Sequence, residues 1–233
     1  MTGEACLTLG VVTALFLAYM AWGTGSRAAV AQDQFAAQLN QAWQAAPAGS
    51  ASPGLPPVAE TITVASGEPF AFLRIPAFGA QWRFTIIEGT QLAQLNVSPG
   101  HVPGTQLPGQ AGNFAVAGHR VTAGNPFWGL PSLRPGDLVY VDTRYDTYAY
   151  RVTAQPSWVS PDDLAVLDPV PGHPGARPVQ RRLTLITCDP AWTGTHRVIV
   201  TGELVSVTGR AGDPAAPVVQ AQAPGASAGK PGF

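Results

Sequence analysis

Charge is scarce in this chain, with 13 basic against 14 acidic side chains among 233 residues and a formal net charge of -1. No basic stripe is available to meet a phosphate backbone, which excludes electrostatically driven nucleic-acid binding. Cysteine is equally scarce. Cys6 lies in the first hydrophobic stretch and Cys188 deep in the C-terminal half; two thiols so placed exclude a disulfide framework, and no disulfide is expected. Glycine-rich phosphate loops, paired-cysteine zinc motifs and EF-hand spacing are also missing, so neither a cofactor nor a metal is expected. Asp162-Asp163 is predicted to open a short helix after Ser160, not to hold calcium.

What is present falls into four segments. Residues 1–31 carry an almost wholly apolar, uncharged run from Leu7 to about Gly23, predicted as a membrane anchor or signal-like segment. Residues 32–60 combine a short helix over Gln32 to Trp43, with Phe35, Leu39 and Trp43 on one face, and an Ala/Pro/Gly/Ser-rich tether from Ala45 to Val58. Residues 61–207 are long enough for one core. Beyond them, residues 208–233 form an Ala/Pro/Gly-rich tail without apolar periodicity.

Within the third segment, short β-branched and aromatic runs recur between Pro and Gly punctuation: Phe72 to Ile75, Trp82 to Ile87, Phe114 to Ala117, Leu138 to Val141, Tyr148 to Thr153, Leu183 to Thr187 and Val198 to Val205. This spacing predicts a mostly β domain with one or two short helices, near Phe127 to Leu133 and Pro161 to Leu167. Arg144-Tyr145-Asp146 is expected to turn a hairpin.

Cys188 closes the strand-like run Leu183-Thr184-Leu185-Ile186-Thr187, and Arg197 opens the next one. A cysteine delivered to a strand end with an arginine returning opposite has the layout of a thiol nucleophile beside a cationic clamp for a developing oxyanion. Alternation along the second strand sends Arg197 and His196 to opposite faces, so only one of them can meet the thiol. A thiol near neutral pH needs an imidazole to take its proton, and His119, in Ala117-Gly118-His119-Arg120, is the candidate partner. His101 and His173 lie in Pro/Gly-rich segments and are expected to be solvated loop residues.

Taken together, TLITC at Thr184 to Cys188, Arg197 and AGHR at Ala117 to Arg120 resemble the sortase family, cysteine transpeptidases of the bacterial cell surface. Gly100-His101-Val102-Pro103-Gly104-Thr105, Leu107-Pro108-Gly109, Gly112-Asn113-Phe114 and Leu133-Arg134-Pro135-Gly136-Asp137 make it most like the class E sortases of actinobacteria. Asp189 and Val102 stand where those relatives often carry His and an aromatic residue.

The resemblance implies an all-β fold, a closed eight-stranded barrel, and a catalytic set of His119, Cys188 and Arg197. It also implies a covalent reaction on a secreted protein's C-terminal sorting signal of LAxTG or LPxTG type, cut between Thr and Gly. The acceptor would be an amine of a peptidoglycan precursor, and the enzyme would be single-pass in the cell membrane with its catalytic domain outside. The backbone N–H of Asp189 is a candidate oxyanion donor, and Leu107, Pro108 and Thr187 are candidate groove residues. A pilin-polymerising enzyme and a catalytically silent sortase-like binding domain are the alternatives.

Overall fold

Nine strands form where the β-branched and aromatic runs predict them, with two additions, in a computed structural model that describes residues 2–19, 24–44 and 64–209. They are β1 (Pro69–Arg74), β2 (Arg83–Glu88), β3 (Gly100–His101), β4 (Gly112–Ala117), β5 (Leu138–Asp142), β6 (Asp146–Val152), β7 (Ser157–Val159), β8 (Arg181–Asp189) and β9 (His196–Gly209). The unforeseen pair, β3 and β7, are two and three residues long, too short to show a period in sequence.

The strand order is β6-β5-β1-β2-β3-β4-β8-β9, and a further β6–β9 pairing closes these eight into a barrel. The length of β9 makes closure possible. Its residues His196 to Glu203 pair with β8 along one edge, while Gly202 to Gly209 pair with β6 along the other. Near its start, that second edge is taken by β7. A closed barrel leaves no long strand edge for another chain to add to.

Alternation fills the interior. Phe114, Val116, Leu183, Leu185, Val198 and Val200 all point into one buried cluster with Tyr150, Leu73 and Ile86, each large side chain contributing about 1.5–3 kcal/mol on burial. The opposite parity of β8 and β9, which includes Ile186, Cys188, Arg197 and Ile199, faces outward. The Arg144-Tyr145 turn joins β5 to β6 as expected, with Thr143 N donating to Asp146 O at 2.8 Å.

Among the described residues three α-helices accompany the barrel: α1 (Thr2–Ala18), α2 (Thr24–Gln44) and α3 (Leu92–Leu95). The segments expected to be helical near 127–133 and 161–167 are single 3-10 turns, Leu130–Ser132 and Leu164–Leu167. Pro131 sits in the first, and Asp163 caps the second by accepting from Ala165 N. The helix predicted from Gln32 begins earlier, at Thr24. It lies on the barrel wall: Ala36 and Leu39 cover Phe72, and Trp43 meets the Phe72 ring edge-on at 5.3 Å.

Along α1, Leu7, Leu9, Val11, Val12, Leu15 and Phe16 are all exposed. Among the described residues no helix is long and apolar enough to cross a membrane. The expected tether and the tail from residue 210 lie outside the described residues, whereas Thr208 and Gly209 extend β9.

Candidate active site

β8 and β9 are antiparallel neighbours, and their register sets Cys188 directly opposite Arg197. Directly opposed residues share a face of the sheet, so both project outward. His196 pairs with Asp189 instead and lies on the other parity, as alternation requires.

The loop between the two strands completes this corner. Thr193 N and Gly194 N both donate to Pro190 O, at 3.2 and 2.9 Å, and Gly194 takes a φ of 63°, a left-handed conformation that favours glycine. The tight turn aims Gly194 O at Arg197 Nη1, which donates to it at 2.7 Å and to His196 O at 3.0 Å. A Cβ on Gly194 would lie 3.6 Å from Cys188 Sγ and 3.7 Å from Arg197 Nη1, so sulfur and guanidinium flank one point. Arg197 Nε and Nη2 have no partner among the described residues, leaving donors of the planar fork open.

His119 arrives from the opposite edge of β8. β4 runs parallel to β8 with Ala117 paired to Ile186. The match continues one step further: Gly118 N donates to Ile186 O at 3.0 Å, and Thr187 Oγ1 donates to Gly118 O at 2.8 Å. His119 therefore leaves β4 at the level of Cys188. Glycine is required at 118 by space, because a Cβ there would come within 2.8 Å of the Phe127 ring. His119 O accepts from Phe127 N at 3.1 Å, and its Nε2 lies 3.1 Å from Asn96 Oδ1. Burial of the imidazole holds its pKa below the ordinary histidine value.

Two residues beyond the sequence candidates join these strand ends. Arg120 forms an ion pair with Asp189, and Trp158 Nε1 on β7 donates to the other Asp189 oxygen at 2.9 Å. Arg120 could have been suspected from its place after His119. Trp158 left no signal, since it comes from a strand the sequence does not announce.

The outward face of β4, β8 and β9 continues into a groove of about 180 Å³. Its floor includes Ala117, Ile186 and Ile199, with Arg197 at one side and Val102, Leu164 and Leu167 as walls. The lining is chiefly apolar, with Arg197 and Asp163 among its few charged groups, the character of a ligand-binding cleft.

The three groove candidates named from the sequence do not line it. Thr187 points inward, 2 % exposed, because alternation puts it one position out of phase with Cys188. Leu107 and Pro108 precede β4, at the rim opposite His119, where neighbouring Gly109 N donates to the Tyr150 hydroxyl at 2.8 Å. His173 is exposed, but His101 is 3 % exposed, not solvated as expected. Its ring stacks on Phe114, Nδ1 meets Glu88 Oε2 at 2.5 Å, and Nε2 donates to Gln106 O at 3.1 Å. No group of three or more potential metal ligands occurs among the described residues.

Comparison with known proteins places this geometry among relatives. A sortase domain model matches residues 73–205. Sortase SrtE1 of Streptomyces coelicolor is 35% identical over 210 residues, covering 87% of this chain and 56% of that protein; the chain thus spans little more than half of that relative's length. Among solved structures, sortase E from Streptomyces avermitilis is 41% identical with a TM-score of 0.57, covering 62% of this chain and 93% of that one. Sortase E1 from Streptomyces coelicolor with a tripeptide in the active site is 36% identical with a TM-score of 0.58, covering 66% and 98%.

Proposed function

The chain belongs to the sortase family, whose members are cysteine transpeptidases, and on that premise we propose that it transfers secreted proteins from a C-terminal sorting signal to an amine. The signal in this reading is of LAxTG or LPxTG type, cut between Thr and Gly. The observation that carries the proposal is the opposition of Cys188 and Arg197 in register, with His119 delivered to the same level by the adjacent strand.

Each residue then has one task. Cys188 loses its proton to His119 and its sulfur attacks the Thr carbonyl carbon, forming a tetrahedral adduct. The open donors of Arg197, and the backbone N–H of Asp189, stabilise the oxyanion. Collapse breaks the Thr–Gly bond, and His119 returns the proton to the departing glycine amine. An incoming amine, on a peptidoglycan precursor in this reading, repeats the steps in reverse on the thioacyl enzyme. The apolar groove beyond Arg197 suits the small apolar side chains near the head of such a signal.

The reading also places α1 at the cell membrane and the barrel outside the cell. Its support is the run of apolar side chains that α1 exposes from Leu7 to Phe16, beyond the one charge of its first turn, Glu4.

The test is turnover of a fluorogenic LAxTG peptide by the purified full chain with hydroxylamine as acceptor. Release of the glycine fragment and formation of the hydroxamate are expected, both abolished in Cys188→Ala, with Arg197→Lys slowed about a hundredfold or more. Absence of turnover with LAxTG and LPxTG peptides alike, or full turnover by Cys188→Ala, would overturn it.

A further inference from the structure

Asn96 is exposed, yet its side-chain oxygen is engaged by the imidazole of His119, 3.1 Å from Nε2. An amide oxygen only accepts, so Nε2 bears the ring proton in the neutral form and Nδ1 bears the lone pair. Nδ1 has no hydrogen-bond partner among the described residues. We propose that Asn96 is a positioning residue for the transfer reaction, holding His119 in the Nε2–H form so that Nδ1 is the nitrogen that exchanges protons with Cys188 and the substrate amine. The inference rests on the transpeptidase reading above.

The surroundings hold Asn96 in place. It terminates α3, whose start is closed by a reciprocal pair in which Gln91 N donates to Gln94 Oε1 at 2.8 Å and the Gln91 side chain meets the Gln94 backbone. Asn96 N donates to Leu92 O at 3.0 Å. One residue on, Val97 O accepts from Gln32 Nε2 of α2 at 3.0 Å, while Gln32 Oε1 accepts from Thr85 N at 2.7 Å. Ser98 Oγ donates to Thr85 O at 2.7 Å. The segment bearing Asn96 is thereby fastened to both α2 and β2, and the reach of its amide to His119 is set by buried bonds, not by its own packing.

The proton inventory closes. The thiol proton of Cys188 moves to Nδ1, giving an imidazolium that still donates from Nε2 to Asn96. The sulfur forms its bond to the Thr carbonyl carbon and the carbon–nitrogen bond breaks. The Nδ1 proton then passes to the glycine nitrogen, and the ring returns to its Nε2–H neutral form. Asn96 bonds more strongly to the charged ring than to the neutral one, because a charged donor strengthens a hydrogen bond. The other ionisable side chains carried by the adjoining strand ends are Arg120 on the His119 loop, Cys188 and Asp189 on β8, and Arg197 on β9; Arg120 and Asp189 are paired with each other.

The experiment is nitrogen-15 NMR of the histidine rings in the full chain, with His119 assigned by His119→Gln, alongside peptide kinetics across pH. A single Nε2–H tautomer is expected for His119, mixed in Asn96→Ala. That variant is expected to lose roughly tenfold in kcat with KM and melting temperature unchanged, and to move the His119 limb of the pH profile to lower pH. Asn96→Asp, which sets a carboxylate against the ring, moves the same limb to higher pH. A Nδ1–H tautomer in the parent chain, or parent-like kcat and pH profiles in both variants, would overturn the proposal. The tautomer is read without turnover, so it stands apart from the Cys188→Ala control that decides the transpeptidase reading.

Discussion

Arg120 and Asp189, the residues directly after His119 and Cys188, are ion-paired across the gap where β4 and β8 end. Main-chain pairing between those strands stops at Gly118 and Ile186, so the pair continues the connection into the two segments that carry His119 and Cys188. Trp158 holds the carboxylate from β7, and the Arg120 guanidinium lies 5.8 Å from the centre of the Trp128 ring.

Removing Asp189 leaves the Arg120 guanidinium half-buried without its carboxylate. Asp189→Ala is therefore expected to cost about 1–3 kcal/mol of stability, measured by urea denaturation, with peptide turnover falling as His119 and Cys188 lose their tie. A joint change of Arg120→Met and Asp189→Leu should be milder than the sum of the single changes, since two apolar side chains need no counter-charge. Additive losses would show that the pair is not coupled.

Buried His101 and half-buried Glu88 make a second pair, on β3 and β2, and take no part in the proposed reaction. Truncating His101 to Ala removes the ring stacked on Phe114 and leaves the Glu88 carboxylate without its partner, at an expected cost of about 3 kcal/mol. Thermal and urea melts would record the loss, while kcat of the folded fraction stays at the parent value. A selective drop in kcat would move His101 into the active site.

The imidazole of His119 also couples stability to pH. Burial lowers its pKa in the folded chain, so the unfolded chain binds the proton more readily and stability rises with pH through this window. The contribution is complete above the unfolded value of about 6.5 and fades as pH falls towards the lowered folded value. Urea midpoints taken across that range should show a slope that His119→Gln reduces. An unchanged slope would assign the acid sensitivity to other groups.

Much of the architecture could be read from residue order because the barrel strands are β-branched and aromatic runs set between Pro and Gly breaks. Alternation separates Arg197 from His196 once Arg197 is placed beside Cys188, although the apolar runs Leu185-Ile186 and Val198-Ile199-Val200 do not themselves mark which parity faces inward. The short pieces escaped for the opposite reason. Gly100–His101 and Ser157–Val159 hold too few residues to display a period, and their strand character comes from the neighbours they pair with. Thr187, Leu107 and Pro108 were misplaced because proximity in sequence to a site says nothing about which face a residue takes or which rim its loop occupies. Likewise the solvated reading of His101 rested on Pro and Gly beside it, whereas one bond to Glu88 and a stack on Phe114, both remote in sequence, turn it inward. Asn96 belongs to the same class: an asparagine at a helix end is unremarkable until the imidazole appears beside it.

The parallel run of β4 beside β8 has an evolutionary corollary. Parallel neighbours cannot be joined by a hairpin, so the intervening polypeptide must travel round the barrel, laying down β5, β6 and β7 on the way. Insertions or losses within that detour alter the walls of the groove without changing the offset between His119 and Cys188, so the cleft is free to diverge while the two strand ends keep their register.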